Sequence, residues 1–120
     1  MAENYNKVIE NLVVIAGELY RFKGIFAKAI SKLEIDEQTK YASQYAWFEK
    51  KVKKALAEAG LRLVNLEGQL YDPGMAVTPL NIDEFEPNDK LFIEQIIEPI
   101  IMSDNAVYKT GTVILGRVKQ

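Results

Sequence analysis

The spacing of apolar residues near the start of the chain constrains the fold most strongly. From residue 8 onward they recur at alternating intervals of four and three: Val8, Leu12, Ile15, Leu19, Phe22, Phe26, Ala29 and Leu33. This spacing places one apolar stripe along a single face of an α-helix, as in helices that pack into bundles. Four further residues widen the stripe and predict contact with more than one neighbouring helix: Val13, Ala16, Ile25 and Ile30.

A second stripe with the same spacing predicts a second helix. Its members are Tyr41, Tyr45, Phe48, Val52, Ala55 and Ala59. Extending the spacing of the first stripe would instead place polar residues at positions 36, 40 and 43 on the apolar face, so the two stripes belong to separate helical segments. We predict antiparallel helices over residues 4–33 and 36–59, with Asp36 as the N-cap and Gly60 as the C-cap. One bent helix is the alternative.

Two stripes of this width cannot both be buried within a single hairpin. Pairing of two copies into a four-helix bundle would bury them, so we predict a homodimer. Its interface residues would be Leu12, Ile15, Leu19, Phe22, Phe26, Tyr45, Phe48 and Val52. Gly17 and Gly24, seven residues apart, either allow another backbone to approach closely or are tolerated weak points of the helix.

The second half of the chain has a different composition. It contains all four prolines and four of the seven glycines, and its apolar residues fall into short β-branched runs. We predict strands within residues 61–66, 75–80, 91–102, 106–109 and 112–118, folded as a small antiparallel β-barrel or sandwich of five or six strands. The class is therefore α+β, with a helical module at 1–60 and a β-domain at 61–120.

Composition argues against most enzyme chemistry. The chain has no cysteine and no histidine, and nothing in the sequence places two carboxylates together. Thiolate zinc sites, cysteine nucleophiles and a histidine base are thus excluded, and we expect no enzyme activity, no cofactor and no metal. The acidic segment with Asp83, Glu84, Glu86 and Asp89 lacks the spacing of a calcium loop and is interpreted as a solvated surface loop.

Charge and hydropathy also limit the partners. The net charge of −2 does not favour nucleic acid, and the lysines at 50, 51, 53 and 54 suit the C-terminal end of a helix. No stretch approaches the roughly 20 apolar residues that span a bilayer, and no signal-peptide pattern is present. We therefore expect a cytoplasmic protein that binds neither membrane nor nucleic acid.

Short motifs in the second half resemble those of GrpE-type nucleotide exchange factors. Tyr71-Asp72-Pro73 is similar to the Phe-Asp-Pro motif that opens the family's β-domain, and Ala76-Val77 resembles its Ala-aliphatic pair. The segment Glu86 to Asp89 resembles the loop before the family's central strand. The closing strands are also similar, with Tyr108, Gly111, Val113, Ile114 and Val118.

The resemblance implies a co-chaperone whose β-domain binds the nucleotide-binding domain of a DnaK-type chaperone and promotes ADP release. It also implies a dimer built on a four-helix bundle. The residues assigned to partner binding on this basis are Tyr71, Asp72, Pro73 and Gly74, with Pro99, Ile100, Ile101 and Met102 as an apolar surface. For each of these residues a purely structural role, in a turn or in the core, is the alternative.

The chain departs from the family pattern at three places. The His that follows the family's Asp-Pro is absent, and Leu115-Gly116-Arg117 stands where the family has Arg-Pro-Ala. Few residues precede Val8, so we expect a short form without the family's long paired helix. These departures leave a second hypothesis, a GrpE-like dimeric scaffold that binds another partner and has no exchange activity.

Overall fold

The computed structural model describes residues 2–119, with side chains from Tyr5 to Lys119, and confirms the α+β class. The helices are α1 (Ala2–Ile30) and α2 (Ile35–Glu58). The strands are β1 (Leu61–Val64), β2 (Val77–Pro79), β3 (Leu91–Glu98), β4 (Ile100–Ser103), β5 (Ala106–Lys109) and β6 (Gly111–Arg117). The chain forms two compact units, a helical unit up to Arg62 and a β unit from Leu63.

The helical unit is a hairpin of two separate helices. Its turn is closed by Gln38, whose side-chain amide donates hydrogen bonds to the carbonyl oxygens of Leu33 (2.7 Å) and Ser31 (3.2 Å). The prediction of Asp36 as the N-cap is wrong. The N-cap is Glu34, because the helical hydrogen bonds already begin with its carbonyl oxygen, which accepts from the Gln38 backbone N–H at 2.9 Å.

The predicted C-cap of α2 is one residue late, because the C-cap is Ala59 and Gly60 is the first residue beyond it. Gly60 comes two residues after the last helical residue and has a φ of 81°, in the left-handed region that glycine adopts without steric strain. Its backbone N–H donates to the carbonyl oxygen of Ala57 at 2.9 Å. The glycine therefore ends the helix and redirects the chain into β1.

A row of aromatic rings holds the middle of the hairpin together. Phe26 of α1 stacks on Tyr45 of α2 with ring centroids 5.5 Å apart, and the Tyr45 hydroxyl donates to the Leu19 carbonyl oxygen at 3.0 Å. Lys23 and Glu49 form an ion pair across the two helices at 3.2 Å. Burial raises the pKa of the Tyr45 hydroxyl above its ordinary value, and the charge of Glu49 acts in the same direction.

The β unit contains two three-stranded sheets, with strand orders β1-β4-β5 and β2-β6-β3. The two sheets do not close into a barrel, so the barrel prediction is wrong. The prediction of a purely antiparallel β-domain is wrong as well. β2 pairs with β6 in parallel, which the long connection between these strands permits, whereas β3–β6 and β4–β5 are antiparallel.

Pro99 marks the point where the chain passes from one sheet to the other. Its side chain is almost fully buried between the end of β3 and the start of β4. Proline has no backbone N–H, so a strand ladder cannot continue through it. Beside it, the Glu98 carboxylate accepts hydrogen bonds from Lys109 Nζ and from Thr112 Oγ1, both at 3.1 Å, which links β3 to β5 and β6.

The core of the β unit is centred on β6. Val113 and Leu115 alternate with less buried residues along the strand, as a period of two requires, and they share the interior with Ile93. Gly111 permits the closest approach of two backbones. A Cβ atom there would lie 2.9 Å from the Glu98 carbonyl oxygen, so glycine is required sterically.

The described residues contain no helix that combines the length and the apolar character needed to cross a bilayer.

Candidate protein-interaction surfaces

The predicted dimer seam is only partly buried in the single chain, and three of its eight residues are exposed. Ile15, Phe22 and Phe48 keep 57%, 51% and 49% of their surface accessible. Leu12, Phe26, Tyr45 and Val52 are half-buried, and Leu19 is buried. Val8 and Ile25 extend the exposed apolar surface along α1. We refer to Ile15, Phe22, Phe48 and Val52 as the apolar face of the hairpin.

A groove of about 340 Å³ runs along this face between the two helices. Its lining is apolar except for Glu18: Val14, Ile15, Leu19 and Phe22 come from α1, and Phe48 and Val52 from α2. Contiguous exposed apolar residues are typical of surfaces that contact a partner, so this face is the first candidate interaction surface.

The wide stripe of α1 divides into two parts in the structure. Val13 and Ala16, predicted to widen the stripe, are buried together with Ile9, whereas Ile25 is exposed and Ile30 is half-buried. Apart from Leu19, the residues of α1 that the single chain buries thus lie beside the predicted seam rather than on it. The seam itself remains accessible to a further partner.

The motif at residues 71–74 forms a tight turn at the surface of the β unit. The Asp72 carboxylate accepts a hydrogen bond from the Gly74 backbone N–H at 3.2 Å, and the Asp72 carbonyl oxygen accepts from the Met75 N–H at 2.9 Å. Asp72, Pro73 and Gly74 are exposed, and Tyr71 is half-buried. The Tyr71 backbone N–H donates to the Leu91 carbonyl oxygen at 2.9 Å, which anchors the turn to β3.

A cleft of about 520 Å³ opens beside this turn. Its apolar lining is Leu70, Tyr71, Pro73, Ile82, Phe85, Pro87 and Leu91, and its charged lining is Glu86, Asp89 and Lys90. Leu70 is 53% exposed and Ile82 is 42% exposed. We call this site the aromatic cleft, because Tyr71 and Phe85 supply its two rings.

An ion pair fixes one wall of the aromatic cleft. The Asp89 carboxylate accepts from Arg117 Nη2 at 3.0 Å and from the Glu86 backbone N–H at 2.8 Å. The guanidinium of Arg117 lies 5.7 Å from the centre of the Phe85 ring. The hydrogen bond from the Glu86 backbone holds the pKa of Asp89 below its ordinary value, and Arg117 acts in the same direction.

The predicted apolar surface at residues 99–102 requires a correction. Pro99, Ile100 and Ile101 are buried in the β unit, and only Met102 is half-buried. Their position at the crossing between the two sheets explains the burial, because residues of both sheets surround the chain there. The three buried side chains are therefore not available as a docking surface.

Sequence reasoning missed the contribution of the acidic segment to a site. Phe85 and Ile82 lie within it and line the aromatic cleft, although the segment was interpreted as a solvated loop. The sequence feature that could have revealed this contribution is the pair of apolar residues, Ile82 and Phe85, among the acidic residues of the segment. Between Tyr5 and Lys119, no group of three or more acidic side chains is arranged to hold a metal ion.

Comparison with protein-family models, curated proteins and solved structures found no match to this chain. The resemblance to GrpE-type exchange factors therefore stays a prediction that depends on the short motifs alone.

Proposed function

We propose that the protein is a dimeric GrpE-like co-chaperone. In this proposal the hairpins of two copies pair through their apolar faces into a four-helix bundle. Each β unit then binds the nucleotide-binding domain of a DnaK-type chaperone and holds its cleft open, so that ADP leaves faster. The partner-binding residues in the proposal are those of the exposed turn, Tyr71 to Gly74, together with Met102.

The observation that carries the proposal is the exposure of the predicted seam. Phe22 and Phe48 each leave about half of their surface in water although they lie on the heptad stripes. Burying apolar surface contributes about 25 cal/mol per Å², so covering these residues with the same face of a second copy is favourable. A hairpin followed by a small β unit is also the arrangement that the family resemblance implies.

The proposed activity requires no bond chemistry. An exchange factor acts by binding the open state of its partner more tightly than the closed state, and this difference in affinity shifts the partner's equilibrium. A chain without histidine and cysteine is compatible with such a mechanism. The turn at Asp72 suits a contact surface, because its internal hydrogen bonds limit the ordering that binding would require.

The experiment measures the release of a fluorescent ADP analogue from a cognate DnaK-type chaperone. We expect the protein to accelerate release at least tenfold. The Asp72→Ala, Pro73→Ala double variant tests the turn. It should bind the chaperone more weakly while its own circular dichroism spectrum stays that of the unmodified protein. Absence of both binding and acceleration with the unmodified protein would remove the proposal.

A second candidate is a dimeric scaffold without exchange activity. The observation in its favour is the segment at Leu115-Gly116, which replaces the family's Arg-Pro-Ala. Leu115 is buried, and a Cβ at Gly116 would lie 2.8 Å from the Phe92 ring, so this segment serves the core of the sheet. Stable capture of a defined partner other than a DnaK-type chaperone, without any effect on ADP release, would favour the scaffold.

A further inference from the structure

We propose that one side of α2 binds single-stranded nucleic acid, with lysines on the phosphates and the indole of Trp47 stacked on a base. We call this side the basic face. Its members are one aromatic residue and four lysines, all exposed: Trp47, Lys40, Lys50, Lys51 and Lys54. The inference goes beyond the co-chaperone proposal, because it uses neither the groove of the hairpin nor the turn at residues 71–74.

Helical spacing brings these residues to the same side of α2. At intervals of seven, four and three residues, the positions along it are Lys40, Trp47, Lys51 and Lys54. Lys50 lies beside them, three residues after Trp47. The last turn of α2 contains no basic residue, and the effect of the helix dipole falls off beyond that turn. The dipole therefore explains little of this cluster, contrary to the interpretation from the sequence.

The basic face has a local positive charge that the net charge of −2 conceals. Residues 38–57 contain five lysines and a single carboxylate, Glu49. The Glu49 carboxylate is directed towards α1, where it pairs with Lys23 at 3.2 Å, and it also lies 3.6 Å from Lys53 Nζ. Among the side chains that the structure describes, no ion pair involves a lysine of the basic face. Such a surface attracts anionic partners.

Trp47 gives the basic face an aromatic surface that the hairpin does not bury. This residue is 63% exposed and lines neither the groove of the hairpin nor the aromatic cleft. Lys51 Nζ lies 4.6 Å from the centre of its ring, so a positive charge stands beside the exposed indole. Proteins that bind single strands without sequence preference combine these two features, because cations contact the phosphates while bases stack on aromatic rings.

Other anionic partners use the two features less fully. A protein segment gains most of its affinity from side chains that enter pockets, and neither the groove nor the cleft contains a residue of the basic face. A helix that lies on an anionic bilayer inserts a wide apolar side. On the basic face, in contrast, the one apolar residue between positions 40 and 54 is Trp47. Single-stranded nucleic acid is therefore the favoured occupant.

The test measures the fluorescence anisotropy of a labelled oligothymidine of about twelve nucleotides with the full chain. We expect a dissociation constant of roughly 1–100 μM at about 50 mM salt, and an affinity roughly 20- to 50-fold lower at about 200 mM, as for three or four phosphate contacts. Trp47 is the only tryptophan of the chain, so stacking should also quench the intrinsic fluorescence. Absence of binding, or binding without quenching, would overturn the proposal.

Variants locate the site. Trp47→Ala should weaken binding about tenfold and leave its salt dependence unchanged. Lys50→Gln combined with Lys54→Gln should weaken binding by a similar factor and make the salt dependence shallower. Lys28→Gln combined with Lys32→Gln removes the same charge from exposed positions outside α2 and should have no effect. Equal losses in the two lysine pairs would show that net charge alone governs binding, which would contradict the proposal.

Competition experiments test the class of partner. Unlabelled oligothymidine should displace the labelled strand at least tenfold more effectively than polyglutamate of the same length, which has the charge but no base to stack. Equal displacement by the two, or tighter binding to phosphatidylserine vesicles than to oligothymidine, would overturn the proposal. Because Trp47 lies outside the groove and outside the β unit, Trp47→Ala should leave any acceleration of ADP release unchanged. The nucleic-acid and co-chaperone proposals can therefore fail independently.

Discussion

Phe22 of α1 and Phe48 of α2 line the same groove from opposite helices. They are connected through Phe26 and Tyr45, with successive ring centroids 5.9, 5.5 and 6.0 Å apart. The two inner rings are half-buried and the two outer rings are about half exposed. One continuous aromatic row therefore passes through the hairpin at its two inner rings and reaches the open face at both ends.

We predict that replacing either outer ring by a carboxylate abolishes dimerisation. Phe22→Glu or Phe48→Glu would place a charge in an apolar interface, at a cost of roughly 3 kcal/mol per dimer, or about a hundredfold in the dimerisation constant. Sedimentation velocity over a range of protein concentrations should show a mass near twice 13.6 kDa for the unmodified chain and near 13.6 kDa for the variants.

Trp47→Glu is the matched control for these substitutions. Trp47 is also a largely exposed aromatic residue of α2, but it does not line the groove, and Lys51 Nζ lies 4.6 Å from the centre of its ring. This variant should remain dimeric. Finding that the unmodified chain is a monomer at high micromolar concentration would contradict the dimer altogether.

Gly24→Ala is expected to stabilise the helical unit. Gly24 is exposed within α1, and a Cβ at this position meets no atom within 4 Å. Alanine has a higher helix propensity, so the free energy of unfolding should rise by about 1 kcal/mol in urea denaturation. A loss of stability together with weaker dimerisation would instead assign Gly24 to a close approach between two copies.

Gly111→Ala should destabilise the β unit. The added Cβ would lie 2.9 Å from the Glu98 carbonyl oxygen and 3.2 Å from the Ile100 backbone nitrogen. Because these are backbone atoms rather than flexible side chains, we expect a loss of about 1–3 kcal/mol, as for other overpacked sites. Thermal unfolding measures the effect, and an unchanged midpoint would show that the backbone at Glu98 and Ile100 can shift away from β6.

The Glu98 carboxylate should make stability depend on acid pH. The hydrogen bond from Lys109 lowers the pKa of Glu98 in the folded protein, and the bond from Thr112 acts in the same direction. Its stabilising effect is therefore complete above the unfolded pKa of about 4.3 and is lost as the pH falls through the lower folded pKa.

The test compares urea denaturation at pH 6 and at pH 3. Glu98→Gln should be less stable than the unmodified protein at pH 6, and its loss of stability between pH 6 and pH 3 should be smaller. Glu94→Gln changes an exposed carboxylate on the same strand and should follow the unmodified protein. Parallel curves for all three proteins would show that the contacts of Glu98 do not stabilise the fold.

Regular periodicity made the helices and most strands predictable from the sequence. The two heptad stripes located α1 and α2, and the positive φ of Gly60 agrees with the predicted end of α2. The predicted N-cap of α2, Asp36, lies two residues after the observed N-cap, Glu34. The sequence shows only that aspartate is a favourable N-cap residue. It does not show that Gln38 closes the turn from within the next helix.

Tertiary contacts decided the remaining features. Pro99 was assigned to an apolar docking surface, but long-range pairing buries it where the chain changes sheets. The aromatic cleft depends on the ion pair between Asp89 and Arg117, which are far apart along the chain. A local pattern of acids and prolines carries no information about such a partner, so Phe85 was not recognised as part of a site.

The passage of the chain at Pro99 also has a consequence for folding. Since one residue separates β3 from β4, neither sheet can detach without pulling on a strand of the other. The β unit should accordingly melt as a single cooperative block, and amides at the centres of both sheets should exchange with deuterium at similar free energies. In a β unit built this way, the exposed turn at residues 71–74 persists only while both sheets are folded.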